Sequence, residues 1–241
     1  MALLEVRSIS RSFGGVQALR DVSFTVEQGT VLGLVGPNGS GKTTLFSCLT
    51  GFLKPTRGEA VFDGSSLAGL SPERIAKRGV VRTWQKVRPL AKLSVLDNVV
   101  VGALCRTSSV AKARELAREQ LDLVRLGERA DVLAGALPIG ERKKLEVARV
   151  LATQPRLLLL DEVMGGLNTS EKEDLAALIV ELRKRGLSQI VIEHDMKAIL
   201  RVSDRLVVLG SGQKLADGVP QEVVRDPAVV AAYLGEPLAA G

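Results

Sequence analysis

Gly36-Pro37-Asn38-Gly39-Ser40-Gly41-Lys42-Thr43 fits the pattern G-x-x-x-x-G-K-[ST]. The apolar run Val31-Leu32-Gly33-Leu34-Val35 before it predicts a strand covered on both faces, and residues 43–50 after it predict a helix. The glycines let successive backbone N–H groups turn inward around a phosphate, and the helix N-terminus adds its positive dipole end. The stretch therefore predicts a phosphate-binding loop in an α/β core.

Two side chains of this loop have chemistry of their own. Lys42 supplies a mobile positive charge for the β- and γ-phosphates of a nucleotide, and the Thr43 hydroxyl suits Mg²⁺. We predict that the loop binds ATP through Gly36, Asn38, Gly39, Ser40, Gly41, Lys42, Thr43 and Thr44.

A second motif is the apolar strand Leu157-Leu158-Leu159-Leu160, which ends in two carboxylates, Asp161 and Glu162. We predict that Asp161 holds Mg²⁺ through water and that Glu162 polarises the water that attacks the nucleotide. The alternative is that Asp161 merely caps the next helix.

The chain has one histidine, His194, which follows an apolar strand that ends at Ile192. In an open parallel sheet, ligands bind at the carboxyl ends of the strands. Gln85, Asp161, Glu162 and His194 all come just after predicted strands, so we expect them at one edge of the sheet. A histidine there can donate a hydrogen bond to the γ-phosphate. The alternative is a chance surface histidine at a strand end.

The order of predicted elements indicates one domain, residues 1–241. Strands and helices form an α/β core over 1–88 and 156–241, with antiparallel strands near the start of the chain. Residues 89–155 carry two amphipathic helices, at 110–125 and 140–152, and no strand signal, which predicts an inserted helical subdomain.

Composition restricts the function classes. The net charge of +6 admits an acidic partner but selects none, and an aromatic content of 3% disfavours a base-stacking platform for nucleic acid. A helix needs about 18 consecutive apolar residues to span a bilayer, and every apolar run of this sequence is much shorter. No signal peptide is expected at the N-terminus. The two cysteines, Cys48 and Cys105, are interpreted as reduced core residues of a cytosolic protein.

These motifs together resemble the ATP-binding subunits of ATP-binding-cassette (ABC) transporters over essentially the whole chain. GPNGSGKTT is similar to the family's phosphate loop, RTWQ to its glutamine loop, LLLLDE to its acidic strand and IEHDM to its switch-histidine segment. The resemblance implies a P-loop (RecA-like) ABC nucleotide-binding domain with an antiparallel β subdomain and an inserted helical subdomain. It implies that ATP is hydrolysed by Glu162, His194, Gln85 and Lys42, with Thr43, Gln85 and Asp161 around Mg²⁺.

Phe13 lies upstream of the phosphate loop, where the family places an aromatic residue against adenine. The alternative is that Phe13 is a core residue of the first sheet.

Several strings, including SFGGVQAL, IEHDM and AAYLGE, resemble subunits of bacterial branched-chain amino acid and amide importers. ATPases of lipopolysaccharide export are close relatives and remain an alternative. A soluble ABC ATPase acting on nucleic acid or ribosomes, and a nucleotide-binding regulator without turnover, are further alternatives.

The importer resemblance implies partners and a location. They are a second ATP-binding subunit, a paralogue or a second copy of this chain, and integral-membrane permease subunits, with a solute-binding protein acting indirectly. We expect no nucleic-acid partner. The chain would sit peripherally at the cytoplasmic face of the inner (plasma) membrane, with the permease contacting the segment 85–96, which carries Lys86, Arg88 and Lys92.

One segment departs from the family pattern. Members read LSGGQ or LSYGQ where this chain has Leu137-Pro138-Ile139-Gly140-Glu141, the signature segment. In the family it crosses the dimer interface to the partner's γ-phosphate, so the resemblance implies nucleotide contacts by Ile139, Gly140 and Glu141. Losing the serine hydroxyl costs roughly 1.5–3 kcal/mol. We therefore expect a weakened signature that still works through backbone N–H groups at the helix start.

Overall fold

The computed structural model describes residues 2–85 and 88–234, with the side chains of Tyr233 and Leu234 left aside. Its first sheet is antiparallel and contains β1 (Ala2–Phe13), β2 (Val16–Glu27), β4 (Arg57–Phe62) and β5 (Ser65–Ser66). Its second sheet contains β3 (Val31–Val35), β6 (Val80–Arg82), β7 (Leu157–Asp161), β8 (Ser188–Ile192), β9 (Arg205–Gly210) and β10 (Gln213–Gly218). The order in that sheet is β10-β9-β3-β8-β7-β6, parallel except for β10.

The α-helices of the described residues are α1 (Lys42–Leu49), α2 (Pro72–Arg78), α3 (Val95–Ala103), α4 (Val110–Leu123), α5 (Ile139–Leu151), α6 (Thr169–Lys184), α7 (Met196–Val202), α8 (Pro220–Val223) and α9 (Pro227–Leu234). In these ranges, no helix combines the length and the apolar character that crossing a bilayer requires. Helices α3, α4 and α5 follow one another between β6 and β7 and pack together, as expected for an inserted helical subdomain.

The central sheet is buried on both faces, which explains why its strands are apolar throughout. Alternate residues such as Leu32, Leu159 and Ile190 pack with the antiparallel sheet and α1. Their neighbours, such as Val31 and Leu158, pack with the helices on the opposite face. The α/β fold class predicted from the sequence is therefore observed, with the parallel strands fixed between two apolar layers.

Helix α3 was not predicted. Its valine-rich sequence has low intrinsic helix propensity, so burial against α4 and α5 decides its conformation. The start of α3 did carry a signal, because Ser94 caps it by accepting a hydrogen bond from the Asp97 N–H at 3.0 Å. The antiparallel strands expected near the start of the chain are long, since β1 and β2 each span 12 residues.

The two cysteines differ from each other. Cys48 on α1 is buried as predicted, and burial raises the pKa of its thiol to about 11. Cys105 is exposed, so its interpretation as a core residue was wrong. It follows the end of α3 in a turn, where the Cys105 N–H donates to the Gly102 carbonyl and the chain leaves the apolar helix face.

Helices α3 and α5 approach each other closely at Gly102. A Cβ atom at this position would lie 2.2 Å from the Arg149 carbonyl oxygen on α5. Because backbone atoms cannot move away as the end of a flexible side chain can, the two helices depend on a glycine here.

We expect Gly102→Ala to lower the free energy of unfolding by about 1–3 kcal/mol, through overpacking of this helix contact. In an unconstrained helix interior the same change would raise it by about 1 kcal/mol. Urea unfolding of the purified chain measures the difference, with Val101→Ala as the control because Val101 is exposed on the same helix. A more stable Gly102→Ala protein would show that α3 can move away from α5 without cost.

Candidate functional site

The site lies where four parallel strands end. β3, β6, β7 and β8 are neighbours or near neighbours in the central sheet and run in one direction. Their carboxyl ends therefore meet at one edge, as the sequence predicted. The phosphate loop follows β3, Gln85 follows β6, Glu162 follows Asp161 at the end of β7, and His194 follows β8.

The phosphate loop depends on two of its glycines. Gly36 has φ 149°, and a Cβ there would lie 2.1 Å from the Leu209 carbonyl oxygen of β9. Gly41 has φ 100°, and a Cβ there would lie 2.6 Å from the Ala18 carbonyl oxygen of β2. Both positions combine a left-handed backbone with a close backbone neighbour, so only glycine allows the loop to lie against both sheets. Between them, Asn38 and Gly39 are exposed and Ser40 is buried.

Lys42, the first residue of α1, turns its side chain back over the loop. Its Nζ donates to the Gly36 carbonyl at 2.7 Å and to the Pro37 carbonyl at 3.0 Å. Burial lowers the pKa of Lys42, while the nearby carboxylates of Glu162 and Asp161 raise it. The ammonium group is thus already held inside the loop, where a phosphate would bind.

Glu162 is the centre of a hydrogen-bonded group. Gln85 Nε2 donates to Glu162 Oε2 at 2.6 Å, and His194 Nε2 lies 2.8 Å from Glu162 Oε1. Three residues that are distant in the chain thus meet at one carboxylate. His194 is exposed and directed at this group, which argues against a chance surface histidine.

Asp161 is fully buried and bound to Arg82, a residue that the sequence analysis did not single out. Arg82 Nη2 donates to Asp161 Oδ2 at 2.6 Å, and the Asp161 N–H donates to Thr83 Oγ1 at 3.0 Å. Burial raises the pKa of the Asp161 carboxyl, and Arg82 lowers it. Asp161 does not cap the next helix, because Asn168 is the N-cap of α6, so that alternative is wrong.

A divalent cation fits this part of the site. Asp161 Oδ1 is buried and has no hydrogen-bond partner in the described structure. A buried carboxylate oxygen without a partner is costly, and an oxygen-seeking cation would satisfy it. Thr43 and Gln85 line the same cavity as Asp161, a space of about 580 Å³. These are the three predicted Mg²⁺ ligands.

Phe13 is exposed at the end of β1, with the Arg11 guanidinium carbon 4.6 Å from the centre of its ring. The alternative that Phe13 belongs to the core of the first sheet is therefore wrong. An exposed ring has a free face for a planar base.

The signature segment forms the start of α5. Pro138 is the N-cap residue and its side chain makes no capping hydrogen bond, Ile139 is exposed, and Gly140 packs against Glu171. Glu141 Oε1 lies 3.4 Å from Arg129 Nε, in the connection between α4 and α5. In the described part of the chain, no hydrogen bond or ion pair joins residues 137–141 to the phosphate loop.

Three further polar residues were missed by sequence reasoning. Arg82, Lys143 and Glu146 are each more than nine-tenths buried and bind groups around the site. Glu146 accepts a hydrogen bond from the Trp84 N–H at 2.6 Å. For Lys143 and Glu146 the available signal was a charged residue at a position of α5 that faces the core, and for Arg82 it was a charged residue at the end of the buried strand β6.

Known proteins similar to this chain share its architecture. Residues 19–165 match the family described as ABC transporter, and residues 213–239 match one described as branched-chain amino acid ATP-binding cassette transporter. A nucleotide-free ATP-binding cassette from an ABC transporter superposes with a TM-score of 0.89 at 32% identity, covering 98% of this chain and all of that one. The ADP conformation of the cassette MJ1267 gives the same TM-score at 33% identity and the same coverage.

Sequence relatives cover nearly the full length. The chain is 42% identical to the high-affinity branched-chain amino acid transport ATP-binding protein BraF of Pseudomonas aeruginosa, over 97% of this chain and 98% of that one. It is 40% identical to LivG of Escherichia coli K12, of the same description, with the same coverage. It is 33% identical to the lipopolysaccharide export system ATP-binding protein LptB of Haemophilus influenzae, over 98% of both chains. The chain belongs to the ABC transporter family, and it is one of the ATPases that carry the family's ATP-binding cassette.

Proposed function

We propose that this chain hydrolyses ATP to drive an importer of branched-chain amino acids or related small polar solutes. The observation that supports hydrolysis is the arrangement of Gln85 and His194 around the Glu162 carboxylate, beside the phosphate loop. The importer is supported by the match at residues 213–239 and by the higher identity to BraF and LivG than to LptB. Lipopolysaccharide export is therefore the second candidate.

In the proposed mechanism the phosphate loop and Lys42 bind the triphosphate, and the exposed Phe13 ring packs against the adenine. Glu162 accepts the proton of the attacking water, and Gln85 and His194 fix the direction of its carboxylate. His194 also donates a hydrogen bond to the γ-phosphate when the phosphate occupies the site. Asp161, Thr43 and Gln85 would hold Mg²⁺, which would supply positive charge to the triphosphate.

We propose that the permease docks on a surface beside the glutamine loop. Phe52 and Trp84 are both exposed and meet edge to face, with ring centroids 4.9 Å apart. The nearby cavity is lined by Arg88 and Arg149 as well as by Asp161 and Gln85 of the site. Exposed aromatic rings next to arginines are typical of protein interfaces. Of the basic residues predicted here, Arg88 and Lys92 are exposed, and Lys86 lies outside the described residues.

The other proposed partners follow from the family. A second ATP-binding subunit, with a paralogue favoured over a second copy, would place its signature segment over this chain's phosphate loop. Permease subunits would hold the pair at the cytoplasmic face of the inner membrane, and a solute-binding protein would act through them. A role on nucleic acid or ribosomes gains no support from these relatives.

Glu162→Gln should retain ATP binding and lower steady-state hydrolysis by about a hundredfold or more, because the attacking water loses its proton acceptor. ATP affinity and turnover are measured together in the assembled complex. Glu173→Gln, an exposed carboxylate on α6, is the matched control and should behave as wild type. Lys42→Ala should instead lose nucleotide affinity. Wild-type turnover in Glu162→Gln would exclude Glu162 as the base.

A photo-crosslinking amino acid at position 88 or 92 should capture the permease subunits in the assembled complex. The control position is Gln221 on α8, which packs at β9 and β10, the sheet edge opposite to β6. Mass spectrometry identifies the captured protein. Links from position 88 or 92 to water-soluble proteins alone, or equal capture at position 221, would contradict the proposed docking surface.

Pro138 makes the two sites of a paralogue dimer unequal. If the partner's signature segment keeps the serine, that serine can donate a hydrogen bond to the ATP bound beside this chain's Glu162. The ATP bound by the partner lies against Pro138, which has no hydroxyl to donate. Removing Glu162 should then reduce turnover more than removing the partner's glutamate. Turnover of the two purified single mutants decides this, and equal losses would mean that the N–H groups at the start of α5 suffice.

In a homodimer, Pro138→Ser should raise hydrolysis, by up to about ten- to a hundredfold if chemistry limits the rate.

A further inference from the structure

Helix α5 carries a buried lysine that contacts the catalytic region of its own chain. Lys143 is 6% exposed and lies two residues after the signature segment. Its Nζ donates to the Glu162 carbonyl oxygen at 3.1 Å and to the Gly165 carbonyl oxygen at 2.5 Å. The ammonium group thus holds both ends of the turn that follows β7.

This turn has an unfavourable backbone at its first residue. Glu162 has φ 51°, in the left-handed region that residues with a side chain disfavour. Its N–H donates to the Ile192 carbonyl at 2.9 Å, and its carbonyl accepts from the Gly165 N–H at 3.2 Å. These two bonds and the two from Lys143 all join the turn whose first residue carries the carboxylate bound to Gln85 and His194.

A second buried charge lies at the same turn. Glu193 is 4% exposed, and its Oε1 accepts a hydrogen bond from the Met164 N–H at 2.7 Å. Burial raises the pKa of Glu193 to about 7, and Lys143 lowers it. Burial in turn lowers the pKa of Lys143, while Glu193, Glu146 and Glu162 raise it. The carboxylates and the two carbonyls together compensate the cost of burying an ammonium group.

We infer that Lys143 is a positioning residue for hydrolysis: its hydrogen bonds to the Glu162 and Gly165 carbonyls hold the left-handed backbone that aims the Glu162 carboxylate. The inference rests on the proposed function of Glu162 as the base. Because α5 also begins with the signature segment, this lysine links the segment that serves the partner's ATP to the base that acts on this chain's own ATP.

Two neutral variants separate the hydrogen bonds from the charge. Methionine and glutamine have side chains of equal length, one atom shorter than that of lysine. Lys143→Met removes the charge and every donor, whereas Lys143→Gln removes the charge but keeps two N–H donors. In the assembled complex, we expect Lys143→Met to lower kcat for ATP by about tenfold while KM changes less than about twofold. Lys143→Gln should retain several times the kcat of Lys143→Met.

Lys144→Met is the matched control, because Lys144 pairs with Asp174 on α6 at 2.7 Å and not with the turn. It should keep the wild-type kcat. In the Glu162→Gln background, Lys143→Met should cause no further loss, since a positioning residue acts only through the carboxylate that it positions. Melting temperatures and co-purification with the partner subunits verify that each variant assembles.

The outcomes distinguish the inference from the proposed function. If Glu162→Gln abolishes turnover but Lys143→Met has wild-type kcat, the inference about Lys143 is wrong while the proposed role of Glu162 is retained. It also fails if Met and Gln variants lose kcat equally, in parallel with their melting temperatures, because that pattern means a purely structural lysine. Wild-type turnover in Glu162→Gln would contradict both the proposed role of Glu162 and the inference about Lys143. If Lys143→Met does not assemble, Lys143→Leu replaces it as the donor-free variant, and equal kcat in the Leu and Gln variants would overturn the inference.

Discussion

The site depends on the parallel pairing of strands that are buried on both faces. β8 pairs with β7 along its whole length and with residues 31–33 of β3, and apolar side chains cover these strands on both faces. Because each of these strands is an apolar run buried on both faces, the strand ends where the apolar run ends and polar residues begin. Polar residues that follow the strands then occupy set positions at one edge, although they come from parts of the chain up to about 160 residues apart.

Much of the site could be predicted because its residues belong to local sequence patterns. The phosphate loop has a required order of glycines, and Asp161, Glu162 and His194 each follow an apolar run that indicates a strand. The common direction of the strands then predicts that these residues meet, and the packing of side chains need not be known. Gln85 was predicted on the same basis, although β6 proved to be only three residues long.

The remaining contacts could not be predicted because they depend on how helices pack against the sheet. Arg82 reaches Asp161 over 79 positions, and Glu146 reaches the Trp84 N–H over 62. In the sequence, Lys143 is one of several charges in an amphipathic helix and looks like a solvated residue. Helix α3 was missed for a related reason, since tertiary burial rather than local propensity makes its valines helical.

The left-handed backbone at Glu162 places stability and activity in opposition at one residue. A glutamate at φ 51° destabilises the folded chain by about 1 kcal/mol. Glycine at this position would cause no such loss, and asparagine would cause a smaller one. A lineage released from selection for turnover would therefore gain stability by losing this glutamate, so drift should remove it early.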